Sequence, residues 1–247
     1  MTIGSKEDLA GMQTVGRLVG ETLRVMQAAV RPGMTTAELD AVGAAWLRQH
    51  GARSAPQFTY GFPGFTLISV NEEIVHGVPG PRRLEPGDVV KLDVTAELDG
   101  YIADAAVTVV LPPVSPTARK LKRCVRSAFQ EGLAAARLGR PVSDIGRAVE
   151  KEVRRHGFSV VRSLCGHGVG RTIHEAPSVP NYYDPRMRDV LTEGLVIALE
   201  PMISAEPART VEERDGWTIR TDNRSLAAHY EHTIVITRGE PMILTAA

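Results

Sequence analysis

Apolar residues recur every three or four positions through residues 6–30 (Leu9, Met12, Val15, Leu18, Val19, Leu23, Met26), the period of one helix face. Arg31-Pro32-Gly33 ends that helix, and Thr35-Thr36-Ala37-Glu38 offers a capping box for a second, running to about His50. Gly and Pro crowd residues 51–64, which predicts a loop. A strand is expected over Phe65–Val70, then a loop from Asn71 to Pro81 that carries His76-Gly77. Val89–Ala96 and Tyr101–Leu111 read as strands, with Asp99-Gly100 between them as a two-residue hairpin turn. Pro112 and Pro113 stop the second strand. A third amphipathic helix covers 117–138, and Ser143 caps a fourth that ends near His156. Short strands follow near Phe158–Arg162, Leu195–Leu199, Trp217–Arg220 and Tyr230–Thr237.

The pattern repeats. Leu84 to Asp93 and Leu191 to Glu200 both read Leu-x-x-Gly-x-Val-x-x-Leu-acid, 107 positions apart. Gly33 with Glu38-Leu39 is echoed by Gly139 with Asp144-Ile145 at an offset of 106. Two echoes in the same order predict a duplicated chain with halves of roughly 6–111 and 112–240 inside one domain, 1–247. Each half would run helix, helix, strands, and the site would lie between them. The competing explanation is chance likeness between apolar strands.

Composition narrows the function. The 29 basic and 29 acidic residues leave a net charge of +0, so no global field recruits nucleic acid or an anionic membrane. Two cysteines, Cys124 and Cys165, are too few for a disulfide framework. There is no long apolar run, and Met1 to Lys6 opens no signal peptide. A monomeric cytoplasmic protein with no membrane partner is the expectation.

The chemistry lies in acids embedded in apolar strands. A two-residue turn pairs Leu98 with Tyr101, and counting back pairs Thr95 with Asp104. Asp93 shares the face of Thr95, so Asp93 and Asp104 are diagonal neighbours within reach of one cation. Glu200 ends Leu195–Leu199, and Glu231 opens the β-prone run His232-Thr-Ile-Val-Ile. Any one of these acids alone reads as a solvated strand end or a buried ion-pair member. Four of them with His167 describe a two-metal hydrolytic site, with ligands suited to Mn, Fe, Co or Zn. His167 and His174 stand seven residues apart in the glycine-rich stretch Gly166 to Pro177, the rim of such a site. His76 sits beside a glycine in the same way. His50 and His156 read as helix C-terminal histidines, and His229 and His232 as structural or exposed. Cys165 reads as a small buried residue. There is no Gly-x-Ser-x-Gly and no phosphate loop.

Several stretches, in this order and spacing, together resemble the type I methionine aminopeptidases over nearly the whole chain. They are Asn71-Glu72 with His76-Gly-Val-Pro79, Leu92-Asp93-Val94 with Asp99-Gly100 and Asp104, and Cys165-Gly-His-Gly-Val-Gly-Arg171 with His174-Glu-Ala-Pro177. Glu200-Pro-Met202 and Tyr230-Glu-His-Thr233 complete the set. The resemblance implies an α+β "pita-bread" fold, with pseudo-twofold αβ halves around a curved antiparallel sheet. It implies two divalent ions held by Asp93, Asp104, His167, Glu200 and Glu231, with Asp104 and Glu231 bridging. Glu200 becomes the general base. His76 and His174 contact substrate without binding metal, and Phe62, Ile173, Met202 and Trp217 line the methionine pocket. The implied activity is removal of initiator methionine from nascent chains, favouring a small second residue, with transient ribosome contact; the absence of an N-terminal extension resembles the short bacterial form. Around the pocket the chain departs from the commonest pattern: Val75, Pro56, Thr59 and Leu67 stand where relatives often carry Cys, Cys, Tyr and Cys, and Phe62 and Ile173 replace Tyr and Phe. The rival expectations are a proline-specific aminopeptidase or dipeptidase on the same fold, and a metal-free binding relative.

Overall fold

In the computed structural model, which describes residues 1–246, Ser5 accepts the Asp8 amide and caps helix α1 (Lys6–Ala29). Thr35 and Glu38 close the expected capping box on α2 (Thr36–Gln49). Strand β1 (Arg53–Ser54) leads into α3 (Ala55–Tyr60), so part of the expected loop is helical. Its caps were readable: Ser54 accepts the Gln57 amide, Pro56 lies in the first turn where no N–H is needed, and Gly61 closes it at φ 73°. Next come β2 (Leu67–Val70), β3 (Glu73–Val75), β4 (Val89–Leu98) and β5 (Tyr101–Val110). Ser115 caps α4 (Pro116–Ala135). Ser143 lies inside α5 (Ser143–Arg155) and caps nothing; the preceding Val142 offers no side-chain bond. His50 and His156 are the C-cap residues of α2 and α5.

The remainder is short strands: β6 (Ser159–Val160), β7 (Cys165–Gly168), β8 (Glu175–Pro180), β9 (Val196–Leu199) and β10 (Met202–Ser204). They continue through β11 (Thr210–Glu212), β12 (Ile219–Thr221), β13 (Ala227–His229), β14 (Glu231–Val235) and β15 (Met242–Ile243). The main sheet runs β1-β4-β5-β14-β9-β7-β8, with β2 on β4 and β15 on β14. Neighbouring strands in it are antiparallel. β13-β10-β6 and β11-β12-β3 form two smaller sheets.

Two cores back this sheet. Met12, Val19 and Leu39 of α1 and α2 pack on Val90, Leu92, Val94, Ala103 and Ala105. Leu121, Phe129, Ile145 and Val149 of α4 and α5 pack on Ile197, Leu199 and Ile234. Each buried aliphatic contributes about 1.5–3 kcal/mol, so the helices hold the apolar sheet face firmly. Strand alternation turns Lys91, Asp93, Thr95 and Glu97 to the other face, and all four are buried.

The two echoes in the sequence coincide with matching backbone bonds. The Gly33 amide donates to Leu84 O at 2.7 Å and the Leu84 amide to Met34 O at 2.8 Å; Gly139 to Leu191 O and Leu191 to Arg140 O span 2.8 and 2.9 Å. Gly87 and Gly194 both turn at positive φ, 92° and 81°, where a side chain would be strained. Among the described residues, no helix is long and apolar enough to cross a membrane.

Candidate active site

The β4–β5 hairpin has the register its turn predicts. Asp99 and Gly100 take φ 51° and 81°, Leu98 faces Tyr101, and Thr95 faces Asp104. Thr95 Oγ1 donates to Asp104 Oδ1 at 2.9 Å. Strand β14 joins on the far side, with Glu231 opposite Ala106. Thr233 fixes the depth of this joint: its hydroxyl accepts the Asp104 amide at 2.9 Å and donates to Asp104 O at 2.8 Å.

The other wall is β7, part of a stretch read from sequence only as a glycine-rich rim. It is a strand threaded between β8 and β9, and glycine is what lets it fit. A Cβ on Gly166 would lie 2.3 Å from Ala198 O, and one on Gly168 would lie 2.2 Å from Ala176 O. A register shift between His167 and Gly168 bends the strand there. The His167 ring is held by Nδ1 against Gly168 O at 2.9 Å, and its Nε2 lies 3.3 Å from Glu200 Oε1.

Eleven residues singled out from the sequence line one cleft of about 630 Å³: Asp93, Asp104, His167, Glu200, Glu231, His76, His174, Phe62, Ile173, Met202 and Trp217. The acids and histidines form its floor. Phe62 and Trp217 meet edge to face at 5.3 Å, and with Ile173 and Met202 give it an apolar wall. His76 sits at φ 59°, a backbone conformation uncommon outside glycine, and Gly77 behind it has no room for a Cβ, which would meet Ile68 O at 2.2 Å. The His174 ring lies 4.3 Å from that of His167, and Tyr60 Oη bonds His174 Nδ1 at 2.7 Å.

Two expectations are corrected. His229 is not exposed, and its ring makes no structural bond: it is 1% exposed, lines the cleft floor, and neither ring nitrogen has a hydrogen-bond partner among the described residues. The signal was present, since residues two apart in extended chain share a face and Glu231 follows by two. His232 is the structural one, bonded to Thr245 Oγ1 at 2.8 Å and Tyr230 Oη at 3.1 Å. Cys165 is exposed at the cleft lip because it opens a strand whose inward positions are taken by its neighbours, while Cys124 is buried. Tyr60 went unnoticed because α3 was read as loop.

The floor is electrostatically incomplete. Asp93 Oδ1, Glu200 Oε1 and Glu231 Oε1 are buried without a hydrogen-bond partner among the described residues. Burial first, then the neighbouring carboxylates, pushes Asp93, Asp104 and Glu200 well above the usual carboxylate range, and burial pushes Glu231 up to about 8. Burial also holds His76, His167 and His229 down to about 4, so these rings are neutral near pH 7 and free to donate a lone pair. One trio, Asp104, His167 and Glu231, brings a ligand atom from each member within 4.8 Å of the others; so does Asp93, His229 and Glu231. Orphaned carboxylate oxygens beside neutral imidazoles are the donor set of a divalent cation, whose charge would let these acids ionise.

Residues 10–238 match metallopeptidase family M24. The chain is 45% identical to methionine aminopeptidase 2 of Bacillus subtilis over 99% of each chain. It is 40% identical to a methionine aminopeptidase of Clostridium perfringens, over 95% of this chain and 94% of that one. A crystal structure of methionine aminopeptidase from Thermotoga maritima superposes with TM-score 0.96 at 34% identity, covering 100% of both. Prolidase from Pyrococcus furiosus, at 22% identity, shares the fold with TM-score 0.81 over 66% of its length. The architecture is therefore the pita-bread fold expected from the motifs.

Proposed function

The chain belongs to metallopeptidase family M24, and from that membership we propose that it removes N-terminal methionine from proteins and peptides. It is a hydrolase that depends on divalent metal, an aminopeptidase of the methionyl kind. The single observation that carries the reading is the cleft floor, where buried, unpartnered carboxylate oxygens meet neutral imidazoles below an apolar wall.

In this reading Asp93, Asp104, His167, Glu200 and Glu231 would hold two cations, with Asp104 and Glu231 serving both. The presence of Glu231 in both ligand trios supports two positions. When bound, the metals supply Lewis acidity at the scissile carbonyl and acidify a water. The donor set leaves Mn, Fe, Co and Zn open. Glu200 Oε1 has no protein partner and takes the proton from the attacking water as general base. Tyr60 Oη and His174 Nδ1 are bonded at 2.7 Å; with the hydroxyl as donor, the ring proton sits on Nε2 and His174 donates toward the carbonyl oxygen as charge develops there. His76 faces the departing amine. Phe62, Ile173, Met202 and Trp217 take the methionine side chain. A small second residue is preferred, beside the bonded pair of Tyr60 and His174 in the cleft lining. Nascent chain ends beginning with Met are the substrates, met through transient contact with the ribosome by a monomeric cytoplasmic enzyme. The matching bonds at Gly33–Leu84 and Gly139–Leu191 support two halves descended from one duplicated unit, roughly 6–111 and 112–240.

The test is to strip the protein of metal, restore Co, Mn, Fe or Zn singly, and assay Met-Ala-Ser against Xaa-Pro peptides. Restored release of Met from Met-Ala-Ser is expected; cleavage confined to Xaa-Pro would overturn the assignment.

A further inference from the structure

His229 is the one histidine on the cleft floor that the family reading leaves without a task. Its position is fixed from both sides. Its backbone exchanges bonds with Thr108, whose Oγ1 accepts the His229 amide at 3.0 Å and donates to His229 O at 2.7 Å. Met202 pairs with it across β10 and β13. The residue is 1% exposed, and both ring nitrogens are buried with no hydrogen-bond partner among the described residues. A buried polar group is ordinarily satisfied, so one orphaned at both ends points to a partner of another kind. The contrast with His232, bonded through both nitrogens, is direct.

The direction of the ring says what that partner is. His229 Nε2 lies 3.4 Å from Glu231 Oε2 and 3.9 Å from Glu200 Oε2. Neither approach makes a hydrogen bond. Two donors that each sit about 2.1 Å from one metal in a tetrahedral shell are about 3.4 Å apart. His167 Nε2, a member of the expected ligand set, stands in the same relation to Glu200 Oε1, at 3.3 Å. Asp93, His229 and Glu231 can bring their ligand atoms within 4.8 Å of one another, as Asp104, His167 and Glu231 can.

We propose that His229 is a metal ligand, so that the Asp93 side of the centre receives an imidazole as the His167 side does. The proposal rests on the metallopeptidase reading and deepens it. It changes the second position from an all-oxygen site, which suits Mn²⁺ and Mg²⁺, to a mixed one that favours Fe²⁺, Co²⁺ and Zn²⁺.

The test uses the whole chain, stripped of metal and titrated with Co²⁺ by calorimetry, for the wild type, His229→Gln and His167→Gln. Wild type binds two ions. His229→Gln keeps the His167-side ion at wild-type affinity and weakens the other by more than tenfold, whereas His167→Gln does the reverse. X-ray absorption on the wild-type dicobalt protein, which needs no variant to fold, counts two imidazoles per pair of ions. One imidazole by absorption, or two unchanged affinities in His229→Gln, overturns the proposal. A weakened second ion with one imidazole also overturns ligation and leaves His229 a positioning residue. Failure of the wild type to bind any of Co²⁺, Mn²⁺, Fe²⁺ and Zn²⁺, or to cleave Met-Ala-Ser with any of them, would sink the proposed function itself.

Discussion

Asp93 and Asp104 stand on a hairpin whose pairs run unbroken from Val89↔Val110 to Leu98↔Tyr101, whereas His167 stands on a four-residue strand that shifts register one residue later. The first arrangement is local. A two-residue turn fixes the register, the pleat fixes the face, and the acids follow. The second needs three strands at once, since β7 lies between the nearby β8 and the more distant β9 only because Gly166 and Gly168 let three backbones approach. Hairpin residues are placed by chain connectivity; those on the glycine strand are placed by the absence of atoms.

Substitutions can break that contrast. Asp104→Asn, on the hairpin, should cost both ions and essentially all cleavage, more than the roughly 100-fold that changes outside a ligand shell cost. His167→Gln, on the glycine strand, should cost one ion; elemental analysis giving equal losses would show that Asp104 is not shared. His174→Ala should lower kcat by about 10²–10³ if its ring serves the carbonyl oxygen, and an unchanged kcat would remove that role. Gly166→Ala forces a Cβ against Ala198 O and to 3.3 Å from Glu200 Cγ, which should cost about 1–3 kcal/mol by thermal melting and disturb cleavage as well. Gly100→Ala, at φ 81° in the hairpin turn with only Arg171 near at 3.5 Å, should cost about 1–2 kcal/mol and leave kcat alone.

The smallest effect is one of pH. An acid whose folded pKa is raised holds its proton in the native state, so its contribution is present at low pH and lost as pH climbs toward the folded value. Glu231, pushed by burial from its ordinary 4.5 up to about 8, therefore makes metal-free protein lose stability as pH rises from 4.5 to about 8. The buried histidines, held down to about 4, oppose this only below pH 6.5, where the unfolded chain begins to take their protons. Bound metal should flatten the decline. Melting temperatures of stripped and loaded protein across that range decide it; parallel curves would mean that the carboxylates are not waiting for a cation.

The same contrast explains what could be read without coordinates. Asp99-Gly100 gave the turn, the turn gave the Thr95–Asp104 pair, and the capping boxes and apolar periods gave the long helices. Strands β7, β8, β10 and β13 are short and show no apolar alternation, and β10 and β13 also pair across more than 20 residues of intervening chain. His229 was misjudged for that reason: its burial comes from Thr108, 121 residues away, and from Met202. Cys165 was judged by residue type, and its exposure is set by strand phase.

That exposed thiol has a practical consequence. Of the chain's two cysteines, Cys124 is buried on the inner face of α4 and Cys165 stands exposed on the lining of the cleft. A thiol-reactive dye would therefore attach at a single address, an ångström-scale sentry beside the entrance. Its labelling rate, read against bound peptide or inhibitor, would report how often the doorway is blocked without any need to watch a bond break.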